Sequence, residues 1–274
     1  NRDDTGSPKT AQYGGVKRAR VSSQSWKRAM RTYFYEQSEQ ENVGVRTKEI
    51  VSFVARKIIE IDPSKEDEAL SLAEKVINSA GVKTKDAKAR ALFFLGDKQA
   101  RDLANAAIDG NSDIKYLQKI LKDNPAVDIA LFGRMVADDP SLNEDASSQV
   151  SHAISTHSVD TEFDFFTAVD DLAPEENAGA GMLGTVEFNS STLYRYANVA
   201  IHDFYRQLKD KDALINTSKL FIKSFANSLP TGKVNTFANQ TLPQFLMVSL
   251  REDRPVNLVS AFEDPIKSND GYIE

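Results

Sequence analysis

The 274-residue chain is 41% hydrophobic and 27% charged, with a mean hydropathy of -0.42, the profile of a soluble globular protein with a sizeable core. It contains no cysteine, which excludes disulfides, thiolate metal sites and Cys nucleophiles and points to a reducing cytoplasm. No apolar run approaches the roughly 18–20 residues that cross a bilayer, so no membrane partner is expected.

The formal net charge is -6, yet it is segregated. Residues 1–35 hold eight cations against Asp3 and Asp4, an excess of +6 that leaves -12 for the remainder. Such a chain can bind an anion through one short segment and stay soluble elsewhere. Asn1 to Thr10 are polar and carry no secretory signal, and the absence of a first Met leads us to expect a piece of a longer chain.

Asn1–Gly15 reads as a loop and Val16–Val21 as a short strand, with Val16, Arg18 and Arg20 on one side. A helix is predicted to run from Ser22 or Ser23, either a natural N-cap, to about Tyr35. Trp26, Ala29, Met30 and Tyr33 form its apolar stripe. Residues 47–125 are mostly helical and acidic. Ile50, Phe53, Val54, Ile58 and Ile61 keep a helical period, Asp62-Pro63 stops it, and Ser64 with Asp67 suggests a capping box. Leu92–Gly96 reads as a strand, followed by short helices around 98–108 and 114–122. Strand signals return after Pro125: the apolar run Val127–Phe132, the alternating Thr161–Val169, Thr185–Phe188, Thr192–Ile201 and Phe245–Leu250. Leu214–Leu229 is a helix ended by Pro230. Strands and helices mix without strict alternation, which is an α+β pattern.

Most motif matches fail on context. Gly179-Ala180-Gly181-Met182-Leu183-Gly184 fits a dinucleotide fingerprint letter for letter, but no strand precedes it and no helix follows. It reads as a glycine-rich loop tip, on which Met182 and Leu183 need something to pack against. Thr231-Gly232-Lys233 is too small a part of a P-loop to carry meaning. His152 and His157 are spaced to spread around a helix, so they read as ordinary histidines. Asp3-Asp4 and Asp170-Asp171 could hold Mg²⁺, but a third ligand is not identifiable, so no metal and no other cofactor is expected.

The sharp signal is Val21–Arg31. Gln24, Lys27, Arg28 and Arg31 stand at i, i+3, i+4 and i+7, one polar stripe opposite the apolar one. The open N–H groups near Ser22 and Ser23 would seat a phosphate. Arg18 and Arg20 extend the line, with Arg2 and Lys9 on the preceding loop. Composition leaves two readings open: a track for spaced phosphates, or an amphipathic helix with a solvated basic face.

Several stretches closely resemble the CasC-type backbone subunit of Cascade, the type I-E CRISPR surveillance complex. They are Asn1-Arg2-Asp3-Asp4, Gly14 to Arg31, His152-Ala153-Ile154-Ser155-Thr156-His157, Phe166 to Leu172, Gly184 to Phe188, Tyr194-Arg195-Tyr196-Ala197 and Ser260-Ala261-Phe262-Glu263, in that order. The resemblance spans nearly the whole chain apart from its helical middle. It implies a palm related to the RNA-recognition-motif (ferredoxin-like) sheet, a helical fingers insertion and a β-hairpin thumb. On that basis residues 1–45 begin the palm, 46–125 form the fingers, 126–171 continue the palm, 172–192 form the thumb and 193–274 complete the palm. Family members start with a strand upstream of the Asn-Arg-Asp-Asp loop and continue past Glu274, so further residues are expected at both ends.

The resemblance implies a non-enzymatic, cytoplasmic, antiviral protein that binds CRISPR RNA (crRNA) and polymerises along it. Target DNA, other copies, other Cascade subunits and a recruited helicase-nuclease are the implied partners. The implied RNA-binding residues are Arg2, Lys9, Ser22, Gln24, Lys27 and Arg31, to which the basic track adds Lys17, Arg18, Arg20, Ser23 and Arg28. Met182, Leu183 and Thr185 are implied thumb-wedge residues, turning out a base at intervals. Two other readings compete. One is a ribonuclease using Asp3 or Asp4, as in related type III subunits; the other is a monomeric structural domain that carries no RNA.

Overall fold

A computed structural model describes residues 1–38, 43–136, 139–169, 171–172, 182–269 and 271. Gly14 and Gly15 have positive φ, 59° and 75°, and turn the chain back between two short strands. These are β1 (Thr10–Tyr13) and β2 (Val16–Val21), followed by α1 (Ser23–Gln37), β3 (Val45–Thr47), α2 (Ile50–Ile61) and α3 (Ala69–Ser79). Next come β4 (Thr84–Lys85), β5 (Lys88–Ala89), β6 (Phe93–Leu95), α4 (Asp97–Ile108), α5 (Ile114–Lys122) and α6 (Val127–Phe132). The chain continues through β7 (Ser148–Val150), β8 (Ala153–Ser155), β9 (Glu162–Ala168), β10 (Met182–Phe188), β11 (Leu193–Tyr194) and β12 (Ala197–Val199). It then forms α7 (Ile201–Leu208), α8 (Lys211–Asn227) and α9 (Val234–Phe237). No helix among the described residues is long and apolar enough to cross a membrane.

Two units emerge. The first comprises Asn1–Ala29, Val150–Ala197 and Ser228–Glu274. Its sheet runs β1-β2-β8-β11, antiparallel throughout, with Thr10 opposite Ala19, Arg20 opposite Ile154 and Leu193 opposite Ser155. A separate ribbon pairs β9 with β10, from Met182 opposite Ala168 to Phe188 opposite Glu162. The hairpin therefore begins before residue 172. Asp170 and the Gly179-Ala180-Gly181 tip lie outside the described residues. Phe245–Leu250, expected as a strand, forms none. Phe245 and Leu250 are 81% and 91% exposed, and a β-rich sequence becomes a strand only where a partner edge supplies the ladder.

The second unit comprises Met30–Gln149 and Asn198–Asn227. Its core is helical: Ile50, Val54 and Ile58 of α2 cluster with Ala73 and Ile77 of α3, Leu103 of α4 and Leu117 and Leu121 of α5. α2 stops at Asp62, whose carboxylate accepts the Ser64 N–H at 3.0 Å. Asp62 thus caps the 3-10 turn Pro63–Glu68, in place of the expected Ser64–Asp67 box. Val127–Phe132, expected among the strands, is the helix α6, ended by Gly133 at φ 78°. Six residues, five of them apolar, span too few turns to show a period, and Ile129, Ala130 and Leu131 are all buried.

Candidate nucleic-acid interface

The first turn of α1 is built by Ser22. Its hydroxyl and carbonyl accept the Ser25 N–H at 3.4 and 3.0 Å, while its own N–H donates to Asn1 Oδ1 at 3.1 Å. The backbone N–H groups of Ser23 and Gln24 make no hydrogen bond among the described residues, so the helix start keeps open donors where its dipole is positive. Ser23 is half-buried and Gln24 exposed. Trp26 is 2% exposed on the opposite side, under the Arg195 guanidinium, which stacks 3.5 Å from the ring centre. Burial pushes Arg195 down to about 10. Facing out from the same turns, Arg28 is exposed and Lys27 half-exposed, and Lys27 makes no ion pair among the described residues.

The sheet brings further cations beside this helix start. The Arg20 N–H donates to Lys9 O at 2.9 Å, which sets Lys9 against Arg20, and Arg20 Nε donates to Thr10 O at 2.8 Å. Lys17, on the other face of β2 and nearer its turn, is exposed and donates to Thr161 Oγ1 at 2.9 Å. Arg2 ties the opening loop to the ribbon, with Nη1 on Gly6 O at 2.5 Å and Nη2 on Glu187 O at 2.6 Å.

Two of the expected contacts sit elsewhere. Arg18 is fully buried: its guanidinium donates to Tyr13 O at 3.2 Å, Ser155 O at 3.1 Å, Phe262 O at 2.8 Å and Glu263 O at 3.1 Å. It binds the C-terminal turn to the sheet and offers nothing to a phosphate. Arg31 belongs to the second unit, where Nε reaches Asp128 Oδ2 at 3.4 Å and the guanidinium lies 4.1 Å from the Phe94 ring centre. Burial lowers the Arg31 pKa, against the charge of Asp128. The polar stripe of α1 therefore reduces to Gln24, Lys27 and Arg28.

On the ribbon, Met182, Leu183 and Thr185 are exposed. Leu183 and Thr185 stand opposite Thr167 and Phe165 and share their face with Phe163. Phe163 and Phe165 are each 66% exposed. Sequence reasoning left these two rings out of the candidate site, although the alternation of Thr161–Val169 had already put them on one side.

The comparisons with known proteins bear on this geometry. The family described as CT1975-like protein (Cas_CT1975) matches residues 1–274. This chain belongs to that family. No curated protein matches it. A chain of a solved "CRISPR RNA-guided surveillance complex, pre-nicking" is 35% identical, with a TM-score of 0.86 over 99% of this chain and 80% of that one. A chain of another "CRISPR RNA-guided surveillance complex" is 29% identical, with a TM-score of 0.68 over 99% and 78%. The resemblance to Cascade backbone subunits read from the motifs is borne out.

The remaining polar candidates of this CT1975-like chain have local structural partners. His157 is buried beside β8, not on a helix, with Nδ1 2.8 Å from Ser158 O and Nε2 accepting the Thr192 N–H at 3.2 Å. Asp3 Oδ1 accepts from the Thr5 N–H, the Thr5 hydroxyl and the Ser7 N–H at 3.0, 2.7 and 3.0 Å. Those bonds, led by the Thr5 hydroxyl, hold its pKa below the usual carboxylate value. Among the described residues no group of three or more His, Asp or Glu side chains is arranged to hold a metal ion.

Proposed function

We propose that this chain is the crRNA-binding backbone subunit of a type I-E Cascade complex. Copies polymerise along one guide, each gripping sugar and phosphate without reading sequence, and present the guide for pairing with target DNA. The sheet β1-β2-β8-β11 serves as an RRM-like palm, the helices of 46–125 as fingers and the β9–β10 ribbon as the thumb. Other Cascade subunits and a recruited helicase-nuclease complete the set of partners, and the setting is cytoplasmic. The single observation that carries the reading is the cation-rich surface at the start of α1, where Lys9 and Arg20 of the sheet meet Gln24, Lys27 and Arg28 of the helix, with Lys17 on the other face of β2. Its occurrence in a chain similar to subunits of CRISPR RNA-guided complexes supports RNA over a solvated basic face.

The subunit acts as a scaffold in this proposal, not as a nuclease. Asp3 spends one carboxylate oxygen on its own loop, which favours a structural role. The test is co-purification. The expressed chain should carry one defined small RNA in multiples of itself, and complementary RNA with Mg²⁺ should stay intact. Regularly spaced cleavage products would replace the scaffold by a nuclease; a monomer free of RNA would overturn the whole reading.

A further inference from the structure

β8 enters the sheet one residue after His152. Ala153 stands opposite Val21 and Ile154 opposite Arg20, so the next step of this register sets His152 against Ser22, the residue that caps α1. The preceding residue is fixed as well, because the Ser151 N–H and hydroxyl both donate to Tyr196 O, at 3.0 and 3.1 Å. Directly opposed residues of an antiparallel pair share a face, and His152 therefore shares one with Arg20 and, across β1, with Lys9. The imidazole is exposed and makes no hydrogen bond or ion pair among the described residues.

The charged groups that reach it are Arg20 from β2 and Lys9 from the approach to β1, and among the described residues no carboxylate offsets them. Residues 195–196, on the Ser151 side, contribute Tyr196 and an Arg195 already stacked on Trp26. Partial burial first, then Arg20 and Lys9, push the His152 pKa below its ordinary value. In the free protein Arg20, and Lys9 one strand further on, therefore disfavour the imidazolium. A phosphate arriving there reverses the local field and favours the imidazolium.

We propose that His152 is a further contact of the RNA-backbone track and takes up a proton when a phosphate settles beside Lys9 and Arg20, coupling guide binding to protonation. The proposal rests on the RNA-binding reading above. Its sign follows from linkage: a group whose pKa is higher in the complex than in the free protein makes binding tighter as pH falls, by at most about tenfold per pH unit for one proton.

The probe is labelled poly(U) RNA titrated with the full chain between about pH 7.5 and 5.5, a window in which few groups other than histidine change charge. The parent should tighten by about three- to tenfold towards the acid end. His152→Gln should lose that slope, and His202→Gln, at an exposed position of the second unit, should keep it. Imidazole signals of the unmodified chain provide a second readout that needs no variant: the His152 pKa should rise on adding RNA. RNA binding with the same pH profile in parent and His152→Gln, or an unmoved His152 pKa, overturns the proposal while leaving the RNA-binding reading intact. A parent that binds no RNA at any pH overturns both.

Discussion

Truncating Arg18 would leave the carbonyls of Tyr13, Ser155, Phe262 and Glu263 without the donors that join them. Buried bonds to a charged group are worth more than neutral ones and are costly to leave unmade, so Arg18→Ala should destabilise the chain by about 3 kcal/mol or more. The urea midpoint checks it. Lys27→Ala removes a cation with no ion-pair partner among the described residues. Its unfolding should stay within about 0.5 kcal/mol of the parent, while the salt slope of single-strand RNA binding falls by about 0.7, equally for every guide sequence. An Arg18→Ala chain as stable as the parent but poorer in RNA binding would put that guanidinium on the RNA. The two arginines read as contacts but engaged by the protein itself, Arg18 buried and Arg31 half-buried on Asp128, show where the sequence stops being legible at this scale. Strand alternation and helical period tell which side a residue takes, and only the folded chain reveals that residues 262–263 and Asp128 cover those sides.

Among the elements, α2 and α4 are joined by charges. Lys57 Nζ lies 2.7 Å from Asp97 Oδ1 and 3.1 Å from Glu60 Oε2, and Arg101 bridges Asp97 at 2.9 Å and Glu60 at 3.2 Å. Burial would raise the Asp97 pKa, but the hydrogen bonds and charges of Lys57 and Arg101 outweigh it and hold the group below its ordinary 3.8. A depressed carboxylate contributes stability that is present above the unfolded pKa and lost as pH falls through the folded one. Stability of the parent should therefore decline from about pH 5 downwards, and Asp97→Asn should flatten that part of the curve, as followed by helical circular dichroism. An unchanged acid limb would remove the bridge from the energetics. These helices were legible from sequence because α2, α4 and α5 each run long enough to display a 3.6-residue period. The six-residue α6 and the unpaired Phe245–Leu250 were not, since neither a short apolar run nor β propensity says which backbone partners exist.

At the scale of the whole molecule, the motif order already pointed to the family, because a chain-long series of matched stretches depends on no coordinate. The exposed ribbon needed the structure. Pairing β9 with β10 lines up Phe163, Phe165 and Leu183 on one face in water, and a two-stranded ribbon of this kind is marginal by itself. A neighbouring copy on the same guide is the cover that the proposed polymer supplies, with the thumb of one subunit seated on the next. Phe165→Ser with Leu183→Ser removes apolar surface that is mostly exposed, so melting should change little. Neither residue lies on the cationic track, and binding of one copy to a short RNA should match the parent. On a long RNA the copies should no longer accumulate side by side, which mass photometry reads as fewer subunits per strand. Full-length arrays formed by the double variant would show that the ribbon is not the coupling element, and would move the subunit contact to another surface of the chain.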